Sequence, residues 1–116
     1  MATQDVINGS LMAEKKFQAT GSGAMSETIT VEKPTKVMAI MLHLSSTGAT
    51  SENFAVATDD DAGSAYDTVL ISQDMNTLDD FFSNTIIDVV AGQDLTFTYT
   101  NTDASTWGLT VIYGDK

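Results

Sequence analysis

The stretch that decides the fold lies near the C-terminus. There, Asp94-Leu-Thr-Phe-Thr-Tyr-Thr-Asn101 is followed, after a short polar link, by Trp107-Gly-Leu-Thr-Val-Ile-Tyr113. Apolar and polar residues alternate in both segments, which places successive side chains on opposite faces of an extended chain. Leu95, Phe97 and Tyr99 share one face, and threonines occupy the other. Because a polar link joins the two segments, we predict a β-hairpin whose apolar faces point inward.

The same alternation recurs along the chain, where turn signals such as Gly-Ser-Gly interrupt it at fairly even intervals. Seventeen threonines and a single proline also suit strands better than helices. The predicted strands cover residues 15–20, 27–33, 36–45, 53–58, 66–73, 85–90, 94–101 and 107–113. This pattern predicts an all-β fold, an antiparallel two-sheet sandwich. About eight strands favour a jelly roll, and seven would favour an immunoglobulin-like sandwich.

One segment between the fifth and sixth predicted strands departs from this period. Leu78, Phe81 and Phe82 have helical spacing, and Thr77 with Asp80 has the spacing of a capping box. We therefore predict one or two helical turns that close one end of the sandwich. A short irregular strand is the alternative.

The predicted strand 36–45 is unusual because its sequence Val37-Met-Ala-Ile-Met-Leu-His-Leu44 is largely apolar on both faces. In a two-sheet sandwich only one face of each sheet meets the core, so the second face needs another cover. Met38, Ile40, Leu42 and Leu44 are assigned to the core. The opposite face is predicted to be an interface, and it consists of Val37, Ala39, Met41 and His43.

Three covers for that face are open. One is the N-terminal arm predicted over residues 1–13, ahead of a β-sandwich domain over residues 14–116. The arm carries four apolar residues, which are Val6, Ile7, Leu11 and Met12. The second cover is another subunit, and the third is a ligand in an exposed groove. Full desolvation of a face of this size contributes several kcal/mol, at roughly 25 cal/mol per Å².

The charge of the chain excludes several classes of partner. Sixteen Asp and Glu residues stand against five lysines and no arginine, for a net charge of −11. Nucleic-acid binding uses Lys and Arg to displace counterions from phosphates, so we predict neither a nucleic-acid partner nor an anionic membrane surface. The first residues lack the basic and apolar regions of a secretory signal, and no apolar run reaches the roughly 18 residues of a membrane span. We expect synthesis without a Sec-type signal.

Few residues in this sequence could act as catalytic groups. Cysteine is absent and His43 is the single histidine, so no nucleophile–base pair is readable. Carboxylates are abundant, but no pair stands out as the acid and base of a glycosidase. We predict a non-enzymatic protein without a cofactor.

Asp59, Asp60 and Asp61 are the candidate metal ligands. Calcium prefers hard oxygen ligands, and a turn can gather several carboxylates. The EF-hand register fails because Leu70 stands where that pattern needs a glutamate. A solvated acidic loop is the alternative.

The C-terminal half resembles small β-sandwich proteins of phage virions, notably capsid decoration (cement) proteins. The segments Val90–Asn101 and Trp107–Tyr113 carry the resemblance, as a Gly-x-Asp turn into an alternating strand followed by a last aromatic strand. It implies a homotrimer on the capsid surface, bound to the major capsid protein and often held by an N-terminal arm. We therefore expect a virion protein, made in the host cytoplasm, that stabilises the capsid by bridging its subunits. The alternative is an adhesin or carbohydrate-binding module on a phage tail or cell surface.

Overall fold

The computed structural model describes residues 14–116. The predicted arm, with Val6, Ile7, Leu11 and Met12, lies outside the described residues. Strands account for most of the described chain, and the one helical element within it is a 3-10 turn at Ser64–Tyr66. The strands are β1 (Glu14–Gly21), β2 (Met25–Ile29), β3 (Thr35–Leu44), β4 (Asn53–Asp60), β5 (Val69–Asp74), β6 (Asp80–Ser83), β7 (Ile87–Val89), β8 (Gln93–Tyr99) and β9 (Trp107–Asp115).

The strands form two antiparallel sheets that pack face to face. The five-stranded sheet has the order β1-β9-β3-β6, with β7 also paired to β3, and the four-stranded sheet has the order β2-β8-β4-β5. The chain crosses between the sheets at each step except from β4 to β5 and from β6 to β7. This is the strand order of a jelly roll in which β6 and β7 together fill one edge position. The predicted all-β two-sheet sandwich is confirmed.

The core lies between the sheets and follows the alternation of the sequence. Phe54 and Val56 of β4 are fully buried, and Met75 closes one end of the core with no exposed surface. The predicted C-terminal hairpin does not form, because β8 and β9 lie in opposite sheets and do not pair. The inward residues predicted for these two strands do face the core and are at most 3% exposed from Leu95 to Val111; they are Leu95, Phe97, Tyr99, Trp107, Leu109 and Val111.

A β-bulge decides which β3 residues face the core. Ile112 of β9 pairs with Ala39, whereas the next residue, Tyr113, pairs with Val37. The extra residue is Met38, which turns outward, and Val37 turns inward and is 1% exposed. The prediction that Val37 belongs to the outward face is therefore wrong, and Met38 takes its place there.

The predicted helical turns ahead of β6 do not form. Thr77 has a φ of 69°, which is incompatible with a right-handed helix, and Asn76 is held in an isolated β-bridge. Phe81 then packs against Phe54 with ring centroids 5.5 Å apart. The segment ends in the short strand β6, so the alternative interpretation is the correct one.

Asn101 ties the β8–β9 connection to the turn between β1 and β2. Its backbone has a φ of 56°, and its side chain is buried. Its Nδ2 donates to the carbonyl oxygens of Ser22, Gly23 and Ser105, at 3.2, 3.0 and 2.9 Å. Its Oδ1 accepts a bond from the Ser105 amide at 3.1 Å, and Trp107 Nε1 donates to Gly23 at 2.9 Å. One buried amide therefore fixes two loops.

Replacement of Asn101 tests this connection. Asn101→Ala should lower the free energy of unfolding by roughly 2–4 kcal/mol, because buried carbonyls lose their donor and alanine disfavours positive φ. Asn101→Gly loses the same hydrogen bonds but tolerates the backbone, so it should be about 1 kcal/mol more stable than the alanine variant. Urea denaturation measures both. Equal stability of the two variants would contradict the backbone part of this account.

Carboxylates fasten the loops at the end of the sandwich where β3 and β5 finish. Asp103 accepts hydrogen bonds from the backbone N–H of Ala49 and from the Thr50 hydroxyl, each at 2.9 Å. Asp74 accepts a bond from the Ser51 hydroxyl. The bond from Ala49 holds the pKa of Asp103 below its ordinary value, and the bond from Ser51 does the same for the pKa of Asp74.

Acid should therefore weaken the fold through these two groups. Above about pH 4 both carboxyls are ionised in the folded and unfolded chain, and their bonds contribute fully. As pH falls below that value, the unfolded chain binds protons that the folded protein resists, so stability is lost. Asp103→Asn should be less stable than the parent at neutral pH and lose less on acidification. Urea denaturation across this pH range measures both effects, and an unchanged acid slope in the variant would contradict the assignment.

Candidate interaction surface

The outward side of the five-stranded sheet, called the outer face below, is formed by the side chains that alternate with core residues on β1, β9, β3 and β6. Cross-strand pairing aligns them in rows that run across the sheet. In strand order the rows are Thr20, Gly108, His43 and Asp80; Gln18, Thr110, Met41 and Phe82; and Lys16, Ile112 and Ala39, with the bulged Met38 beside it.

Three of the predicted interface residues lie together on this face. Ala39 and Met41 are partly buried and His43 is exposed, all on the outward side of β3. Val37, the fourth, lies in the core. The structure places these residues, and their role as an interface stays a prediction.

Exposed apolar residues occur in β6 and in the chain next to β6 and β7. Phe82 is 62% exposed and stands on the outer face. Three further exposed residues precede and follow it at intervals of four along the chain, and they are Leu78, Ile86 and Val90.

The outward side of the four-stranded sheet has a different character. One row across it consists of Ser26, Thr98, Ala55 and Ser72, and the next consists of Thr28, Thr96, Ala57 and Val69. Apart from Val69, which is 64% exposed on the edge strand β5, these side chains are small or carry hydroxyl groups. The two outward surfaces therefore differ at their centres, where the outer face carries Met41 and the other carries Ala55 and threonines.

Two shallow depressions adjoin on the outer face at Gly108 and Thr110. One has a volume of about 390 Å³ and is bordered by Met41 and Phe82, and the other, of about 310 Å³, lies beside Gln18. A β-carbon built at Gly108 would meet no atom within 4 Å. The missing side chain of Gly108 therefore leaves open space at the middle of the sheet.

His43 and Asp80 form a pair at one side of the larger depression. Nδ1 of the imidazole lies 2.6 Å from Oδ1 of the carboxylate, and both side chains are about two-thirds exposed, at 66% and 67%. A pair this exposed contributes little to stability. It does place hydrogen-bonding groups directly beside the apolar side chains of Met41 and Phe82.

Charges on the outer face nearly cancel, although the whole chain carries −11. Its outward ionisable groups besides His43 are two lysines and three carboxylates, which are Lys16, Lys36, Glu14, Asp80 and Asp88.

The other three lysines, Lys15, Lys33 and Lys116, form ion pairs with Asp115 or Asp88. Lys33 and Lys15 bind Asp115 at 3.2 and 3.3 Å. Both lysines hold the pKa of the Asp115 carboxyl below its ordinary value, and Lys33 has the larger effect. Lys116 binds Asp88 at 3.1 Å. Most of the surplus carboxylates therefore lie on other surfaces.

Of the candidate calcium ligands, Asp59 and Asp60 end β4 on the other sheet, and Asp61 begins the turn that follows. The Asp60 carboxylate accepts bonds from the Ala62 backbone N–H at 2.8 Å and from the Gln93 side chain at 3.3 Å. Among residues 14–116, no group of three or more His, Cys, Asp or Glu side chains is arranged to hold a metal ion. Calcium binding stays a prediction that this geometry does not support.

Sequence reasoning missed Met38, Phe82 and Gly108 as members of the surface. Met38 depends on the bulge, and Phe82 was assigned to a helical turn. The signal for Phe82 was available in Asp80-Phe-Phe-Ser83, because a strand reading puts adjacent phenylalanines on opposite faces.

Comparison with known proteins gives matches to solved structures at low identity. No protein-family model and no curated protein matches the chain. It is similar to the Drosophila NLP-core, whose structure bears on pentamer formation and histone binding, with 9% identity, a TM-score of 0.49, and coverage of 90% of this chain and 98% of that chain. It is also similar to PliG of Aeromonas hydrophila, a periplasmic inhibitor of g-type lysozyme, with 12% identity, a TM-score of 0.34, and coverage of 92% and 88%. Neither likeness bears on function.

In the described part of the chain, no helix is long and apolar enough to span a bilayer.

Proposed function

We propose that this chain is a non-enzymatic structural protein of a virion, a capsid decoration protein that uses the outer face as its assembly contact. The observation that carries the proposal is the inequality of the two outward sheet surfaces. The outer face carries the partly buried Met41 and the exposed Phe82 in a nearly neutral setting. The other surface carries small and hydroxyl-bearing side chains at its centre and the exposed Val69 at its edge. Aromatic residues and methionine with few charges at the centre are typical of protein–protein contacts.

The physical role of such a protein is to add buried area between capsid subunits. Full burial of a methionine or phenylalanine side chain contributes roughly 1.5–3 kcal/mol, and a decoration protein repeats that contribution at every copy on the lattice. The acidic surfaces elsewhere keep the free protein soluble. The resemblance of Val90–Asn101 and Trp107–Tyr113 to decoration proteins agrees with this role.

A carbohydrate-binding module or adhesin is the second candidate. The depression bordered by Phe82, with His43 and Asp80 at its side, favours it, because sugars bind where an aromatic ring adjoins hydrogen-bonding groups. Specific binding on a glycan array would favour this function, and cosedimentation with capsids would favour decoration.

Met41→Asp tests the contribution of the outer face to decoration. A carboxylate buried without a partner costs about 3 kcal/mol or more, so binding to capsids that lack this protein should weaken at least about 100-fold. Thr98→Asp is the matched control, since it adds the same charge at the centre of the other outward surface. Cosedimentation measures both variants, and similar weakening by both, or by neither, would contradict the proposal.

Gly108→Val provides an uncharged second variant for the same measurement. The new side chain meets open space, so the fold should keep its stability. It fills the middle of the depressions, so capsid binding should fall. Unchanged capsid binding would show that the shape of the outer face does not matter.

A further inference from the structure

We infer that one end of the sandwich, called the acidic end below, binds a lysine- or arginine-bearing segment of another protein. The acidic end is the end where β3 finishes and β9 begins, since Leu44 pairs there with Trp107. Four carboxylates define it, and they are Glu52, Asp74, Asp79 and Asp103. The inference goes beyond the proposed function, which uses the outer face.

The positive charges of the chain lie away from the acidic end. All five lysines lie toward the opposite end, where β1 and β3 begin and β9 finishes; they are Lys15, Lys16, Lys33, Lys36 and Lys116. The ten residues of β3, at about 3.4 Å each, separate the two ends. Salt at 0.1 M screens exposed charges beyond about 10 Å, so these lysines leave the charge of the acidic end unbalanced.

One short segment, residues 49–52, gathers three of the carboxylates. Its backbone and hydroxyl groups donate hydrogen bonds to Asp103 and Asp74. The carboxylate of Glu52 accepts a bond from the backbone N–H of Thr102 at 3.0 Å. The three carboxylates are therefore held around a single loop.

The fourth carboxylate, Asp79, lies next to this loop. The backbone N–H of Gly48 donates to the carbonyl oxygen of Leu78 at 2.9 Å, and that of Leu44 donates to the carbonyl oxygen of Asp79 at 2.7 Å. Asp79 is exposed, and within residues 14–116 its carboxylate makes no hydrogen bond or ion pair. Its charge is therefore available to a partner.

A buried tyrosine hydroxyl indicates the kind of group that binds here. Tyr99 is 2% exposed, and no group in residues 14–116 forms a hydrogen bond with its hydroxyl. Burial raises the pKa of Tyr99, and the charges of Glu52, Asp103 and Asp74 raise it further, so the neutral hydroxyl faces these carboxylates. Because buried polar groups are nearly always hydrogen-bonded, the hydroxyl of Tyr99 indicates a partner beyond these residues.

That partner has to suit both the hydroxyl and the carboxylates. A lysine ammonium has three N–H donors and an arginine guanidinium has five, and neither group accepts hydrogen bonds. Either can donate to the oxygen of Tyr99 and to a neighbouring carboxylate at once, and bonds between opposite charges are stronger than neutral ones. A metal ion fits less well, because no three acidic or histidine side chains within residues 14–116 are arranged to hold one.

A second copy of this chain is a poor source of that cation. Three of its lysines already pair with Asp115 or Asp88. The acidic loop after β4 lies at the same end, because Asp61 and Val31 both bind the backbone of Gly92. End-to-end contact between copies would therefore oppose carboxylates. Residues 1–13 contain neither lysine nor arginine, so the cation comes from another protein.

An NMR titration of the full chain locates the binding site. The probe is a synthetic peptide of alternating lysine and glycine, about ten residues long so that it can span the acidic end. A peptide with glutamate in place of lysine is the control. The lysine peptide should shift the backbone amides of residues 49–52, 74–79 and 101–103, and the control should shift none. Equal shifts at residues 59–67, or no saturable shift at about 1 mM peptide, would overturn the inference.

Charge reversal distinguishes the acidic end from general attraction to an acidic chain. Asp79→Lys should weaken peptide binding about fivefold or more, because it turns an attraction beside the bound cation into a repulsion. Asp59→Lys makes the same change of charge at the opposite end and should leave the affinity within about twofold. Equal weakening by the two variants would overturn the inference. The titrations use no capsids, so their outcome is independent of the proposed function.

Tyr99→Phe tests the hydroxyl, since it removes that group alone. If the hydroxyl has no partner in the free protein, the urea midpoint of the variant should match or exceed that of the parent. Peptide binding should weaken about threefold or more, because the cation loses one hydrogen bond. A lower urea midpoint, or unchanged peptide affinity, would overturn the role of Tyr99 in the site.

Discussion

The pairing of β9 with β3 at the centre of the five-stranded sheet governs both the core and the surface. Side chains alternate along a strand, so a shift of one residue exchanges the buried and exposed sets. The bulge at Met38 makes this shift inside β3 itself. Val37 fills the core on one side of the bulge, while Ile40 and Leu42 fill it on the other. Met38, Ala39 and Met41 consequently share the outward surface.

The fold was largely readable from the sequence, because alternation in segments such as Asp94–Asn101 directly reports which side chains are buried. The bulge was not readable, since it depends on how two distant strands pair. The helical turn was predicted wrongly for a related reason. Adjacent Phe81 and Phe82 fit one helical side or two strand faces equally well, and the burial of Met75 with the positive φ of Thr77 decides for the strand.

The candidate surface was predictable in part. Ala39, Met41 and His43 were found because an apolar strand with two faces needs two covers. Gly108 was missed because the depression beside it also depends on the side chains of the neighbouring strands, and the pattern within one strand does not show them. Phe82 was missed with the helical turn that it was assigned to. Surface shape therefore lies beyond single-strand patterns, even where the strand itself is correctly identified.

The acidic composition has two structural consequences. Asp74 and Asp103 fasten loops by accepting hydrogen bonds, so part of the negative charge supports the fold. The lysines gather on the five-stranded sheet and pair with Asp115 and Asp88, which leaves the outer face close to neutral. A strongly charged protein thereby keeps one surface on which another protein can pack without charge repulsion.

The most direct test of the outer face as an assembly contact is the rate of methionine oxidation by dilute peroxide, followed by mass spectrometry. Met25 and Met75 are buried at 2% and 0% exposure and serve as internal references. Met38 and Met41 should oxidise readily in the free protein. In the protein bound to capsids they should oxidise about tenfold or more slowly, because the contact excludes the oxidant. Equal rates for Met41 in the two states, with the references unchanged, would contradict the account.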